Sequence, residues 1–210
     1  MMTKTTSTPF MHAAVSRLEA IRSVALRLFV TEGYRSVSLR QLAEQAGIQA
    51  GSLYHHIESK QCLLFDFIEE HEYRLLNCVS KPPLARLDPR SALGHFLGAY
   101  LRCSLPRRDE HLLAMRERCC LEPAQQAKIE GLRDKQTQIL RDIIRSGVAR
   151  RHFQVDDLDI AVATVRAMLD GVVFGPVGND FRAEVLIKAV QQMVLRSLLS
   201  VDAEPNTFYE

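Results

Sequence analysis

The apolar residues of this chain return at steps of three and four along nearly its whole length, the period of an amphipathic α-helix rather than the alternation of a strand. From Ser16 onward Leu18, Ile21, Ala25, Leu28 and Phe29 fall on one face, and Gly33 then supplies a helix stop. Ser38 and Gln41 make the S-x-x-Q pattern of a capping box, opening a short helix with Leu42 and Ala46 on its inner face, which Gly47 ends. Ile48 is the lone apolar residue of the turn, and a third short helix is expected over about Ala50–His56. Helix, tight glycine turn and helix make the helix-turn-helix layout.

Longer helices follow. Ser59 caps one that can run to about Val79 on Leu63, Leu64, Phe67, Ile68, Leu75 and Leu76, until Lys81-Pro82-Pro83 breaks it. Pro89 opens the next, carrying Leu93, Phe96, Leu97, Tyr100 and Leu101, and Pro106 stops it. A short helix over Glu110–Cys120 precedes a long one from Pro123 to about Gly147. Val148–Val155 reads as a linker, Asp156 or Asp157 caps a helix through about Phe174, and Gly175–Gly178 is a loop before a last helix at about Arg182–Ser200. No strand period or internal repeat competes, so the chain reads as all-α with about nine helices.

Composition changes this picture little. At 210 residues and 47% hydrophobic the chain can bury a core behind a small head and a larger body. The formal charge of +2 does not announce a nucleic-acid partner, but its distribution does more: residues 1–60 hold seven Lys/Arg against four acids. Cys62, Cys78, Cys103, Cys119 and Cys120 are odd in number and lack a C-x-x-C pair, against a disulfide framework or a zinc site. The pair His55-His56 points in different directions on a helix, so no metal is expected there. The N-terminus lacks the apolar core of a signal peptide and no run is long enough to span a bilayer, which makes a soluble, cytoplasmic protein without a membrane partner the expectation. Nucleotide, zinc-protease, hydrolase and dinucleotide fingerprints are all missing, so neither an enzyme nor a cofactor is expected.

The stretch from Ser38 to Lys60, with its capped short helix, Ala46-Gly47-Ile48, small-residue third helix, Leu53-Tyr54-His55-His56-Ile57 and closing lysine, resembles the DNA-binding head of the tetracycline-repressor (TetR) family. The likeness is strong over about residues 16–68, with helix order and length alone beyond. Gln49 stands where the family often has a Ser or Thr cap. The chemistry of the residues runs the same way. Ala50, Gly51 and Ser52 are small enough for a recognition helix to approach the major groove. The Tyr54 hydroxyl and Lys60 suit phosphates, Arg40 can reach the DNA backbone from the second helix, and the backbone N–H groups near Ser38 and Lys60 favour phosphate oxygens. The resemblance makes Tyr54 and Lys60 phosphate clamps and turns Gln49, Ala50, Ser52, His55 and His56 toward the bases.

It also implies a division into a flexible arm (1–15), a DNA-binding head (16–60), an effector-binding and dimerisation body (61–200) and a polar tail (201–210). One short helix makes few base contacts, so a homodimer on a palindromic operator is expected, with heads roughly 34–36 Å apart. Val165, Leu169 and Val172 on one helix and Leu186, Val190, Met193 and Val194 on the last are the interface candidates, although any apolar stripe also serves its own core. Phe67, Phe96, Tyr100, Leu112, Met115, Leu140 and Met168 are the candidate walls of a pocket for a small apolar or amphipathic effector, whose binding would release the DNA. Two other readings stay open: a thiol-based redox regulator built on Cys119-Cys120 beside Arg116 and Arg118, and an interaction module that has lost DNA binding.

Overall fold

The computed structural model describes residues 9–81, 84–175 and 183–199, with side chains from Arg17 onward. The described residues form nine α-helices and no strand: α1 Pro9–Glu32, α2 Leu39–Gln45, α3 Ala50–Leu53, α4 Lys60–Val79, α5 Pro89–Ser104, α6 Arg108–Arg116, α7 Pro123–Ala149, α8 Leu158–Phe174 and α9 Ala183–Leu198. Single 3-10 turns lie at Leu84–Arg86, Leu105–Arg107 and Arg118–Cys120. The all-α reading holds. The expected arm overlaps α1, whose backbone is helical from Pro9, while residues 1–8 and the expected tail lie outside the described residues. The helix expected over Glu110–Cys120 is instead α6 followed by a separate 3-10 turn.

Helix starts follow the capping residues. Ser59 Oγ accepts from the Cys62 N–H at 2.9 Å. Asp88 Oδ1 accepts from the N–H groups of Arg90 and Ser91, both at 3.1 Å, behind Pro89 at the first helical position. Asp157, not Asp156, caps α8, accepting from Asp159 and Ile160 at 2.8 and 3.0 Å.

The chain divides into two compact units. The first holds the residues up to Glu70 together with Asp109–Gln126, and its core includes Ile21, Phe29, Leu42, Leu53, Leu64 and Ile68. The second holds His71–Arg108 and the chain from Ala127 onward. Its centre is α5, where Leu93, Phe96, Leu97, Tyr100 and Leu101 are wholly buried, with α8 and α9 packed against it. Gly94 and Gly98 let α9 approach α5 closely. Gln191 Nε2 donates to the Gly94 carbonyl at 2.6 Å, and a Cβ on Gly98 would stand 3.0 Å from that same nitrogen. Arg102 clamps Glu184 through two bonds of 2.8 and 2.9 Å at the outer edge of this pair.

Two glycines of α7 make opposite demands. A Cβ on Gly147 would fall 1.9 Å from Cδ2 of the buried Phe153 ring, whereas one on Gly131 would meet nothing within 4 Å. Gly147→Ala therefore forces the ring out and should cost about 1–3 kcal/mol, while Gly131→Ala gains about 0.5–1 kcal/mol of helix propensity. Thermal melts of the two variants should move in opposite directions from the parent.

Candidate nucleic-acid interface

The geometry of α2, the glycine turn and α3 is set by a few local bonds. Ser38 Oγ accepts from the Gln41 N–H at 3.1 Å, the first half of a capping box. The second half is not made: the Gln41 amide donates instead to Glu32 Oε2 at 2.7 Å and so ties α2 to the end of α1. Gly47 sits at φ +66°, a conformation that favours glycine, and the Ile48 N–H returns to the Ala43 carbonyl at 2.9 Å. Gln49 stands at the N-cap of α3 without a side-chain capping bond. α3 ends at Leu53, earlier than expected, and the chain continues in turns to Ile57, whose N–H reaches the Leu53 carbonyl at 3.0 Å.

With Leu53 wholly buried and Ile57 nearly so, the remaining residues of this segment face outward. Ser38, Arg40, Gln49, Ala50, Gly51, Tyr54 and His55 are exposed, and Ser52, His56 and Lys60 are half-buried. Tyr54 is 60% exposed, far more than a packing tyrosine would be. A Cβ on Gly51 would meet nothing within 4 Å, so this small residue leaves the leading surface of α3 open. All ten sequence-predicted residues thus lie on one short segment with a small, polar outer surface.

The sequence reading did not anticipate the bracket behind Lys60. Its Nζ lies 4.3 Å from the centroid of the Tyr34 ring, a cation–π contact, and desolvation pulls its pKa below the ordinary lysine value. The Tyr34 ring packs edge-on against Phe29 at 5.3 Å, and its hydroxyl donates to Gln61 Oε1 at 2.7 Å. Burial, first, raises the pKa of that hydroxyl and keeps it a donor. Gln61 Nε2 in turn donates to the Cys120 carbonyl at 3.2 Å and to Gln125 Oε1 at 2.9 Å, while Glu117 Oε1 accepts from the Tyr34 N–H at 3.2 Å. No periodicity marks Tyr34, Gln61 or Glu117, because their partners lie far along the chain.

The other expected residues separate. Phe67, Leu112 and Met115 belong to the first unit, and Phe96, Tyr100, Leu140 and Met168 to the second. Phe96, Tyr100 and Leu140 are wholly buried. Of the interface candidates, Val165, Leu169, Val190 and Val194 are sealed in the core of their own unit, and a side chain with no surface left has little to offer a twin. Val172 and Leu186 are partly buried against that core, and Met193 is 60% exposed. The outward face of α8 instead carries Ile160, Ala163, Thr164, Ala167 and Gly171, and that of α9 carries Val185, Ala189 and Met193. Where α8 begins and α9 ends, a groove of about 500 Å³ lies between Ile160, Thr164, Ser197 and Leu198.

Cys119 is exposed and Cys120 half-buried, and burial pushes the Cys120 thiol above the ordinary cysteine range beside the Glu117 carboxylate at 3.5 Å. Burial and Glu117 disfavour the thiolate that redox sensing needs, while the Arg35 side chain bonded to Cys120 favours it. Among the described residues no cluster of His, Cys, Asp and Glu is arranged to hold a metal ion, and no helix is long and apolar enough to cross a membrane.

A capped short helix, a glycine turn and a small-residue helix with an open polar face define a helix-turn-helix DNA-binding protein. The sequence profile of "Bacterial regulatory proteins, tetR family" matches residues 21–66, and that of "Tetracyclin repressor-like, C-terminal domain" matches residues 86–198. The chain belongs to the TetR family and is a DNA-binding transcriptional regulator. It is 26% identical over 159 residues to the HTH-type transcriptional repressor KstR2 of Mycolicibacterium smegmatis, covering 72% of this chain and 75% of that protein. Its fold matches the TetR-family regulator PfmR of Thermus thermophilus with a TM-score of 0.75 and 29% identity, over 84% of this chain and 97% of the other. It also matches AibR, solved in complex with isovaleryl coenzyme A and operator DNA, with a TM-score of 0.71 and 18% identity, over 87% and 98%.

The bracket behind Lys60 can be tested by a double-mutant cycle. Tyr34→Phe should cost about 1 kcal/mol and Gln61→Ala more, since it removes three bonds. In chemical denaturation the double variant should lose less than the sum, because the two side chains share one bond.

Proposed function

We propose that this protein is a homodimeric repressor that grips a palindromic operator through α3 of each copy and is released by a small effector bound in its helical body. The observation that carries the reading is the outward set on α2 and α3: small residues lead, polar residues flank them, and Leu53 anchors the helix from behind. Gln49, Ala50, Gly51, Ser52, His55 and His56 face the bases or allow their close approach. Tyr54, Lys60, Arg40 and the backbone N–H of Ser38 hold phosphates on either side. The cation–π contact of Lys60 with Tyr34 restricts the ammonium before DNA arrives, lowering the entropy lost on binding.

The exposed apolar face of α8 and α9 is the surface for the second copy, with Ile160, Val185 and Met193 as its large members and Ala163, Ala167 and Gly171 allowing close approach. This set replaces most of the interface residues expected from hydrophobic pattern alone. Release follows if an effector binds more tightly to a conformation in which the two heads no longer match the half-site spacing. α4 contributes residues to both units and is the element through which such a change would pass. AibR, solved with isovaleryl coenzyme A and operator DNA, supports a fold that serves both a small ligand and DNA.

Binding to the DNA upstream of the protein's own gene and its neighbours, measured across a salt series, tests the reading. Wild-type binding should be sequence-selective and steeply salt-dependent. Tyr54→Phe should weaken it, and Lys60→Ala should reduce the slope of log K against log salt by about 1. Binding that ignores sequence would favour the interaction-module alternative. Ile160→Glu combined with Met193→Glu should yield monomers by sedimentation and lose operator affinity together with the dimer.

A further inference from the structure

Of the side chains expected to wall an effector pocket in the second unit, Phe96, Tyr100 and Leu140 are wholly buried in its core. A cavity of about 400 Å³ opens elsewhere in that unit, where the residue after α4, the 3-10 turn Leu84–Arg86, the start of α5 and α7 meet. Ile139, Asp142, Ile143 and Ser146 stand at steps of three, four and seven along α7, so one face of that helix forms a wall. Leu84, Leu87 and Ala92 supply apolar surface from the other elements. Leu84, Leu87 and Ile139 are only partly buried against the core, so apolar surface that folding leaves uncovered is gathered here. The volume falls within the roughly 300–1,000 Å³ of small-molecule sites.

Three polar side chains interrupt this lining, and all three keep the capacity to accept hydrogen bonds. Asp142 Oδ1 accepts from Gln138 Nε2 at 2.8 Å and from Arg145 Nη1 at 2.9 Å, while Oδ2 takes no bond among the described residues. The Ser80 hydroxyl donates its hydrogen to the Leu76 carbonyl at 2.6 Å, which leaves its oxygen as an acceptor. Ser146 Oγ bonds nothing among the described residues, and its hydroxyl can turn either way. Asp142 is the one charged side chain of the lining, and Arg145 already balances it. An anion seated here would meet a carboxylate with no counter-charge in the walls, and a cation would compete with a guanidinium in place. What the cavity leaves unfilled is acceptor capacity beside apolar surface.

We infer that this cavity seats the effector, and that the effector is an uncharged apolar molecule bearing a hydroxyl group, an alcohol or a phenol, which donates to Asp142. The inference rests on the proposed reading that the body takes an effector, and it names the site and the molecule's class. A hydroxyl brings the one donor that Asp142 Oδ2 can accept, and a bond to an ionised acceptor is stronger than one between neutral groups. A carboxamide would bring a carbonyl as well, for which the side chains of the lining hold only the Ser146 hydroxyl as a donor. The rest of the molecule covers Leu84, Leu87 and Ile139 and removes their apolar area from water. Ser80 is tied to the last turn of α4 by its N–H as well, which donates to the Leu76 carbonyl at 3.0 Å. An occupant of the cavity therefore touches the end of the helix through which a change in the heads would pass.

The test uses the full-length protein with 2-naphthol and 4-butylphenol, each beside its methyl ether, together with 2-naphthoate and 2-naphthylmethylammonium. Binding is read by calorimetry and by release of operator DNA. At least one phenol should bind and release the operator, with its ether and both ions at least fivefold weaker. Asp142→Ala should bring phenol and ether to equal affinity, whereas the exposed Asp134→Ala on the same helix should leave the preference intact. Ser146→Phe, which fills the cavity from α7, should abolish binding of both. Ethers that bind as well as phenols to the wild-type chain would overturn the inference, as would an ion that binds more tightly than either. Phenol binding unchanged in both Asp142→Ala and Ser146→Phe would place the ligand elsewhere and overturn the site, leaving the effector reading standing. Binding without release of DNA would overturn the cavity's role as the effector's seat. No binding by any probe would overturn the inference and count against the effector reading as well. The phenol-against-ether comparison needs only the wild-type chain, so the outcome does not depend on the variants folding.

Discussion

A helix of four residues has no stability of its own: forming its first turn fixes several dihedral angles for a single hydrogen bond. α3 persists because Leu53 is wholly buried and because Gly47 turns the chain through a left-handed conformation at its entrance. Everything assigned to the outer surface of this segment depends on that one anchored side chain. The direction of Tyr54, the openness at Gly51 and the exposure of His55 are consequences of Leu53 being held from within. The reading surface is a by-product of a core contact.

The second unit combines an apolar core with a buried chain of polar side chains. Most of it is ordinary core, in which α5 is enclosed on its apolar sides and two glycines let α9 come close. Against that background the chain from Arg133 through Glu72 and Gln136 to Arg166 is expensive, since each buried polar group must find a partner in a low-dielectric surrounding. Glu72 finds two, Arg133 and Gln136. Arg166 donates to Gln136 and lies over the Tyr100 ring, so the chain ends on a neutral amide and an aromatic face.

Local rules made the helices legible. Apolar period and caps at Ser59, Asp88 and Asp157 predict helix starts well, and the turn glycines at 33 and 47 fall where positive φ is needed. The outward residues of α2 and α3 were legible for the same reason, being contiguous in sequence. What escaped was everything that joins distant segments. Gln41 turned to Glu32 and not back to Ser38, and Tyr34 found Gln61 and Glu117, because tertiary partners outcompeted the local alternative. The apolar stripes of α8 and α9 were visible, but periodicity cannot say which side of a broad stripe faces the core. Val165 and Val194 lie inside, and Ile160 and Val185 outside.

The first unit is discontinuous, since Asp109–Gln126 returns to complete it after the chain has already entered the second. That segment brings Glu117, the Cys120 carbonyl and Gln125 to Tyr34 and Gln61. Modularity in this protein therefore does not follow the order of the chain. A chimera that transplants the residues up to Glu70 onto a foreign body would carry the reading surface but leave the donors of Gln61 and the N–H of Tyr34 without their acceptors. Exchange of heads between such proteins has to move two pieces of sequence together, and drift in one piece constrains drift in the other.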